Sequence, residues 1–229
     1  MLDPALLSLI AAAIAFVGVH FALSHPLRAP LVTMMGEQAF QGVYSVLVLG
    51  SVVWMGLAFR ASDAGAVVFP WGYTTPEWIA ASVLSLLAMV LIVAASTPSN
   101  PTLAVPGAED ALVAEPVGAL RVTRHPMMWG FALWALAHVI AAPTARTVVV
   151  ASAVAFMALV GARALDLKKR RQFGQAWDGF ARRTTFFPRL HRINAIPPIA
   201  WVIGSIVWLA ASWLHEPLGG VAAGIWRWL

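Results

Sequence analysis

Six apolar segments, each close to the length that crosses a bilayer, are the feature that most constrains this chain. They cover residues 2–24, 39–59, 77–96, 127–142, 147–165 and 197–215. A membrane-spanning helix needs about 20 predominantly apolar residues, and a backbone in hydrocarbon must satisfy its hydrogen bonds within the helix. The sequence therefore predicts an all-α, polytopic integral membrane bundle of about six transmembrane helices.

The composition agrees with one membrane-embedded domain over residues 1–229. Hydrophobic residues make up 60% of the chain and charged residues 11%, with a mean hydropathy of +0.79, whereas soluble domains carry about 25% charged residues. The first apolar run lacks the basic lead of a cleavable signal peptide, so we predict that it is retained as a span. We also predict a helical hairpin that turns at Pro143, and a C-terminal tail whose Trp226 and Trp228 lie at the membrane interface.

The chain contains no cysteine. This excludes disulfides, iron–sulfur clusters and the covalent attachment of a c-type haem. Any metal or haem must therefore be held by histidine, methionine or carboxylate side chains. The sequence also offers no phosphate-binding loop, no Ser/His/Asp set and no paired carboxylates, which argues against a hydrolase or a kinase.

The basic residues predict an orientation in the membrane. All but three of the 15 lysines and arginines fall on one side of the six-span order, the exceptions being Arg60, Arg146 and Arg227. The positive-inside rule places the first, third and fifth connections in the cytoplasm and both termini outside. We expect the basic run 168–192 to attract anionic lipid headgroups. Because it adjoins span ends, we do not expect it to bind nucleic acid.

Two of the six histidines lie inside predicted spans. His25, His191 and His215 lie at span ends, where an amphipathic ring is stable, but His20 and His138 need a partner within the membrane. Trp134 and Gly130, four and eight residues before His138, would offer an aromatic ring and a gap on the same helix face. Two interpretations stay open here: interhelical hydrogen bonds, or two imidazoles from different spans that hold b-type haem.

Three segments resemble the NnrU family of bacterial membrane proteins, which includes zeta-carotene isomerase. They are HFALSHPLR (20–28), GEQAFQGVYSVLVLGSVVW (36–54) and TRHPMMWGFALWALAH (123–138). The resemblance implies haem b held by His20 and His138 in a bacterial inner membrane. It further implies cis–trans isomerisation of a lipophilic polyene, or a redox role linked to denitrification and nitric oxide with a redox partner. Ala135 stands where the isomerase has a cysteine that serves as an alternative ligand, so no thiolate switch is implied.

The predicted depths of the two histidines differ. At the α-helical rise, His20 lies roughly 6 Å from the cytoplasmic end of its span and His138 roughly 16 Å, so one span must tilt or shift if both bind one iron. His125 matches the depth of His20 better, but it points about 140° away from His138 on the same helix. We predict that His138 is the iron ligand and that His125 has a nearby polar role.

A second, weaker similarity is to the isoprenylcysteine carboxyl methyltransferase group. It is carried by the Arg-His-Pro step at residues 124–126 and by FGQAWDGFARRTTFFP after the following span. It implies S-adenosylmethionine bound near Arg124, His125 and Asp166, although Leu165 stands in place of the group's other carboxylate. A simpler interpretation makes Arg124 and His125 interfacial anchors and Pro126 the first residue of a helix. Three hypotheses remain: a haem protein, a methyltransferase and a non-enzymatic membrane accessory protein.

Overall fold

The structure, a computed structural model, describes residues 3–63, 65–96, 100–103, 109–218 and 220–229. Its α-helices in these ranges are α1 (Pro4–Ser24), α2 (Arg28–Met35), α3 (Glu37–Ala61), α4 (Thr75–Ala95), α5 (Pro126–Ala141), α6 (Ala145–Phe173), α7 (Gln175–Arg183) and α8 (Pro198–Trp213). Short 3-10 helices occupy parts of the connections, and the described residues form no β-strand. The predicted all-α fold is confirmed.

The six apolar segments correspond to α1, α3, α4, α5, α6 and α8. Four of them (α1, α3, α4 and α6) are long and apolar enough to cross a membrane, at 21 to 29 residues. The other two, α5 and α8, have 16 residues each, or about 24 Å at the α-helical rise. The chain is therefore a membrane protein by the length and composition of its helices, and the count of six spans is approximate.

The helices pack in a row whose order differs from the order in the chain. α3 contacts α1, α1 contacts α6, α6 contacts α5, α5 contacts α4, and α4 contacts α8. Small residues lie at these interfaces: Ala12 and Ala13 of α1 are buried with Ala58 of α3 and Ala153 of α6. Small side chains let membrane helices approach closely. Large apolar side chains such as Leu57 point outward, which suits a lipid bilayer.

One end of the bundle is formed by the α5–α6 turn, and we call it the hairpin end. As predicted, α5 and α6 form a hairpin with Pro143 in the turn. The Pro143 carbonyl accepts a hydrogen bond from the Val68 N–H at 2.8 Å, and Arg146 donates to the Ser62 carbonyl at 2.8 Å. The C-terminal tail also lies here, because the Arg227 guanidinium stacks 4.2 Å from the Trp78 ring.

The opposite end carries most of the positive charge, and we call it the basic end. Here Trp177 and Phe180 of α7 are buried against Leu112 and Leu120 of the connection that precedes α5. The N–H of Arg124 donates to the Thr185 carbonyl at 2.8 Å. The third and fifth connections therefore meet at one end, as the six-span order predicts. Which side of the membrane this end faces stays a prediction.

Candidate functional site

His20 lies near the C-terminal end of α1, where α1 packs against α3. Its Nδ1 is 2.9 Å from the hydroxyl oxygen of Tyr44. The interhelical hydrogen bond considered from the sequence is therefore present for His20. In the tautomer in which Nδ1 donates to Tyr44, Nε2 keeps a free lone pair, which is the form of imidazole that binds metals.

A cavity of about 460 Å³ lies beside His20, between α1, α3, α5 and α6. This volume falls in the range of about 300–1,000 Å³ that is typical of small-molecule and cofactor sites. The walls are mainly apolar and include Phe16, Phe21 and Phe131. Met128 of α5 and Met157 of α6 also line it.

The polar side chains of the cavity belong to the basic end of the bundle. Ser24 and His25 follow His20 at the end of α1, and Lys168 comes from the charged last third of α6. The cavity thus joins apolar walls to a cationic group. An amphipathic molecule with an anionic end would match that distribution, because its charge could pair with the lysine.

His138 lies at the hairpin end of α5, in a different environment. Its Nδ1 donates to the Trp134 carbonyl oxygen at 2.7 Å, since a carbonyl can only accept. The Trp134 ring centre is 4.0 Å away, and the ring centre of His215, just after α8, is 6.0 Å away. The predicted contact between His138 and Trp134 is therefore present. His138 is not among the described residues that line the cavity.

Gly130 lies on the side of α5 that packs against α4. A Cβ atom at this position would lie 2.6 Å from Cγ1 of Ile92 and 2.8 Å from the Ala88 carbonyl oxygen. The space above this glycine, which the sequence suggested as a gap beside a cofactor, is thus filled by α4. In the structure, the absence of a side chain allows two helices to approach closely.

The structure does not bring His20 and His138 together. Phe131 of α5 lines the cavity beside His20, and His138 follows seven residues later, about 10 Å further along the helix axis. That His20 and His138 hold one haem iron stays a prediction. The cavity residues themselves fit a haem ligated by His20, because the imidazole, apolar walls and cation are all present.

Arg124, His125 and Asp166 do come together, at the basic end beside the cavity. The Arg124 guanidinium donates to both carboxylate oxygens of Asp166, at 2.6 Å from Nη2 and 3.0 Å from Nε. Nε2 of His125 lies 2.7 Å from the same carboxylate. Both carboxylate oxygens are thus already bonded within the chain. His125 is 1% exposed, and its Nδ1 has no hydrogen-bond partner among the described residues.

This cluster fixes the start of α5. Pro126 is the first residue of the helix, as the simpler interpretation of the sequence predicted, and His125 precedes it as the capping residue. The Thr123 hydroxyl oxygen accepts a hydrogen bond from the His125 N–H at 3.2 Å. Because Asp166 belongs to α6, the ion pair holds the first turn of α5 against that helix.

Three residues of these sites were missed by the sequence analysis: Tyr44, Lys168 and His215. Tyr44 is one of only two tyrosines in the chain, and a hydroxyl inside a span signals a polar partner. His215 was assigned to a span end, yet the six-span order already places the ends of the fourth and sixth spans on one side. Nothing in the sequence distinguishes Lys168 as a cavity residue, because it is one of a run of basic residues.

Comparison with known proteins agrees with the resemblance carried by the three segments. The family model described as NnrU protein matches residues 8–223 of the 229-residue chain, from α1 to the C-terminal tail. No curated protein and no solved structure matches the sequence. The match includes the four helices that line the cavity, as well as His20, His138 and His215. The chain belongs to the NnrU family.

Proposed function

We propose that this NnrU family protein binds haem b in the cavity beside His20, where Nε2 of His20 would hold the iron. One observation carries the proposal: His20 lines an apolar cavity of cofactor size while its Nδ1 is held by Tyr44. Histidines that ligate metals usually donate the other ring N–H to a fixed partner, which sets the tautomer and the ring orientation. Tyr44 is that partner.

The lining of the cavity supports the same ligand. A haem has a flat apolar macrocycle and two carboxylates at one edge, so its site needs apolar walls and a cation. Phe16, Phe21 and Phe131 supply aromatic walls, and Lys168 lies at the basic end of the cavity. The Lys168 ammonium would pair with a carboxylate through a charge-assisted hydrogen bond.

A second residue that could hold the iron is available without His138. Met128 and Met157 belong to the cavity lining, and methionine together with histidine holds haem iron in other proteins. His138 contacts Trp134 and His215 instead. We therefore propose His20 as the essential histidine and either methionine as the second ligand.

A haem bound here would supply one-electron redox chemistry, and a small ligand such as nitric oxide would bind only in place of the methionine. Isomerisation of a lipophilic polyene and a nitric-oxide-linked redox role, both implied by the family resemblance, would each use these properties. The chain contributes the same elements to either reaction: an oriented imidazole, apolar walls that exclude water and a cation at one end.

The test is the absorption spectrum of the full chain, purified in detergent after expression with adequate haem supply. We expect a Soret band in the wild type and its loss in His20→Ala. Tyr44→Phe should keep the band but weaken haem affinity by about 10–100-fold, the usual cost of losing an outer-shell partner. His191→Ala, which removes an exposed histidine outside the cavity, is the matched control. A colourless wild type, or an unchanged band in His20→Ala, would overturn the proposal.

A second candidate function, methyl transfer from S-adenosylmethionine, is supported by the convergence of Arg124, His125 and Asp166. The cofactor's amino-acid end would have to displace one of the two partners that Asp166 already has. Calorimetry on the folded chain tests this candidate. Saturable binding of S-adenosylmethionine that weakens in His125→Ala would support it, and absence of binding would exclude it.

We also propose that the protein lies in a bacterial inner membrane with both termini outside. The alternation of connections between the basic end and the hairpin end supports an even number of crossings. The excess of lysine and arginine at the basic end favours the cytoplasm for that end. A phosphatase or fluorescent reporter fused after Leu229 tests the orientation, and a reporter that reads as cytoplasmic would contradict it.

A further inference from the structure

His138 and His215 form a pair of imidazoles at the hairpin end, remote from the cavity. His138 belongs to the last turn of α5, and His215 lies two residues after α8 ends at Trp213. Their ring centres are 6.0 Å apart and their planes differ by 24°. Neither the packing of the helices nor the proposed haem site uses this pair.

Both rings are held in the same way. Nδ1 of His138 donates to the carbonyl of Trp134, and Nδ1 of His215 donates to the carbonyl of Ala211 at 2.9 Å. Each ring is therefore fixed by the backbone of its own helix, four residues earlier. Since Nδ1 carries the hydrogen in both neutral rings, each Nε2 has a free lone pair. Among the described residues, neither Nε2 takes part in a hydrogen bond.

We propose that His138 and His215 bind a divalent transition-metal ion through their two Nε2 atoms, with water completing the coordination. Ligating histidines typically donate the second ring N–H to a backbone carbonyl or a carboxylate, as both rings do here. Imidazole nitrogen suits Cu²⁺, Zn²⁺ and Ni²⁺, and Cu²⁺ binds most tightly in that series. The site is separate from the haem proposed beside His20, and neither depends on the other.

The distance between the rings fits a shared ion. A metal lies about 2.0–2.1 Å from a ligating nitrogen. Two ring centres that share one metal are then about 5 Å apart at a tetrahedral angle and at most about 6.4 Å apart in a linear arrangement. The observed 6.0 Å lies within these limits.

The ends of two helices favour a cation at this place. α5 and α8 both end at the hairpin end, and the free carbonyls of a helix C-terminus carry a partial negative charge. The Trp134 ring, stacked 4.0 Å from His138, restricts the rotation of that imidazole. The pair thus combines two oriented lone pairs with a local field that attracts positive charge.

Titration of the full chain with Cu²⁺, in detergent and with any affinity tag removed, tests the proposal. We expect one site, weakened at least tenfold by His138→Ala and equally by His215→Ala. His191→Ala is the matched control, because it removes an exposed histidine outside both sites and should leave the affinity unchanged. Equal affinity in wild type and His215→Ala, or a site lost in His191→Ala, would overturn the proposal.

Electron paramagnetic resonance of the Cu²⁺-loaded wild type gives a second measurement that does not depend on how well the variants fold. Coupling to two imidazole nitrogens is expected, and coupling to one or none would contradict the pair. The absorption spectrum separates this site from the haem site. A Soret band lost in His138→Ala but kept in His215→Ala would assign His138 to haem iron and overturn the metal proposal.

Discussion

The two ends of α5 place their histidines in different surroundings, although one sequence motif, residues 123–138, contains both. At the basic end, His125 is fully buried and bonded to Asp166, beside the cavity that His20 lines. At the hairpin end, His138 faces another imidazole and an indole ring. Thirteen residues of helix separate the two by about 20 Å. Residues of one motif therefore lie in two separate environments.

The two ends also differ in how closely they are packed. The basic end has unfilled volume between four helices, and a Cβ atom added at Gly161, in the cavity lining, would meet nothing within 4 Å. At the hairpin end, a Cβ atom added at Gly72 would lie 2.5 Å from Cδ of Pro143, so this end is closely packed. The basic end can therefore take a molecule of cofactor size, whereas the hairpin end has two oriented nitrogens suited to an ion.

Filling the cavity should give the largest difference in ligand binding between the two ends, because haem binding should be lost and Cu²⁺ binding kept. Gly161→Leu adds a side chain to the cavity lining, and we expect loss of the Soret band because the apolar space is then occupied. The protein should stay folded, since a Cβ at this position meets no neighbour within 4 Å and the rest of the leucine side chain can occupy the cavity. Cu²⁺ binding at His138 and His215 should not change. Absorption spectra and Cu²⁺ titration of the same preparation measure both effects.

Gly56→Leu is the matched control for this substitution. Gly56 is an exposed glycine of α3 that also has nothing within 4 Å of an added Cβ, but it does not line the cavity. It should keep both the Soret band and the Cu²⁺ site. If Gly161→Leu binds haem as well as Gly56→Leu does, the cavity is not the haem site.

Removing the charge of Asp166 should give the largest loss of stability. Asp166→Asn leaves the Arg124 guanidinium, whose side chain is 12% exposed, without its counter-charge. Breaking a buried ion pair on one side costs about 3–5 kcal/mol. Because the pair joins α5 to α6 beside the cavity, haem binding should weaken as well. Unfolding in increasing concentrations of denaturing detergent measures the free energy of unfolding.

The control for Asp166 is the ion pair between Arg170 and Asp178, in which the arginine side chain is 65% exposed. Exposed pairs contribute at most about 1 kcal/mol, so Asp178→Asn should change the free energy of unfolding little. Equal effects of the two substitutions would show that the Arg124–Asp166 pair is not buried in the folded protein.

Much of the fold could be predicted from the sequence. The length of the apolar segments and the uneven distribution of lysine and arginine determine how the chain crosses a bilayer, and neither depends on which residues become neighbours in the fold. The six segments, the hairpin at Pro143 and the alternation of the connections were predictable for this reason. The start of α5 at Pro126 followed from backbone chemistry alone. These features depend on residues near one another in the chain.

The sites were less predictable, because they depend on which helix faces which. The sequence correctly marked His20 as a polar group that needs a partner, but Tyr44 could be identified only once α1 and α3 were placed side by side. The pairing of His20 with His138 rests on the family resemblance and stays a prediction. The structure places His215 beside His138, a neighbour that the sequence did not indicate.

Gly130 lies between the two ends of α5. The sequence suggests a gap beside a cofactor at this position, whereas in the structure it contacts α4, and a substitution here separates the two interpretations. An added Cβ would lie 2.8 Å from the Ala88 carbonyl oxygen, and a backbone atom cannot rotate away as a side chain can. Gly130→Ala should therefore destabilise the haem-free protein by about 1–3 kcal/mol, the usual cost of overpacking. Gly56→Ala, in open space, should be neutral or slightly stabilising, because alanine favours a helix over glycine. If Gly130 instead marked a gap beside haem, Gly130→Ala would weaken haem binding and leave the unfolding of the haem-free chain unchanged. That result would mean that α5 does not pack against α4 at Gly130. It would favour a haem held by both His20 and His138.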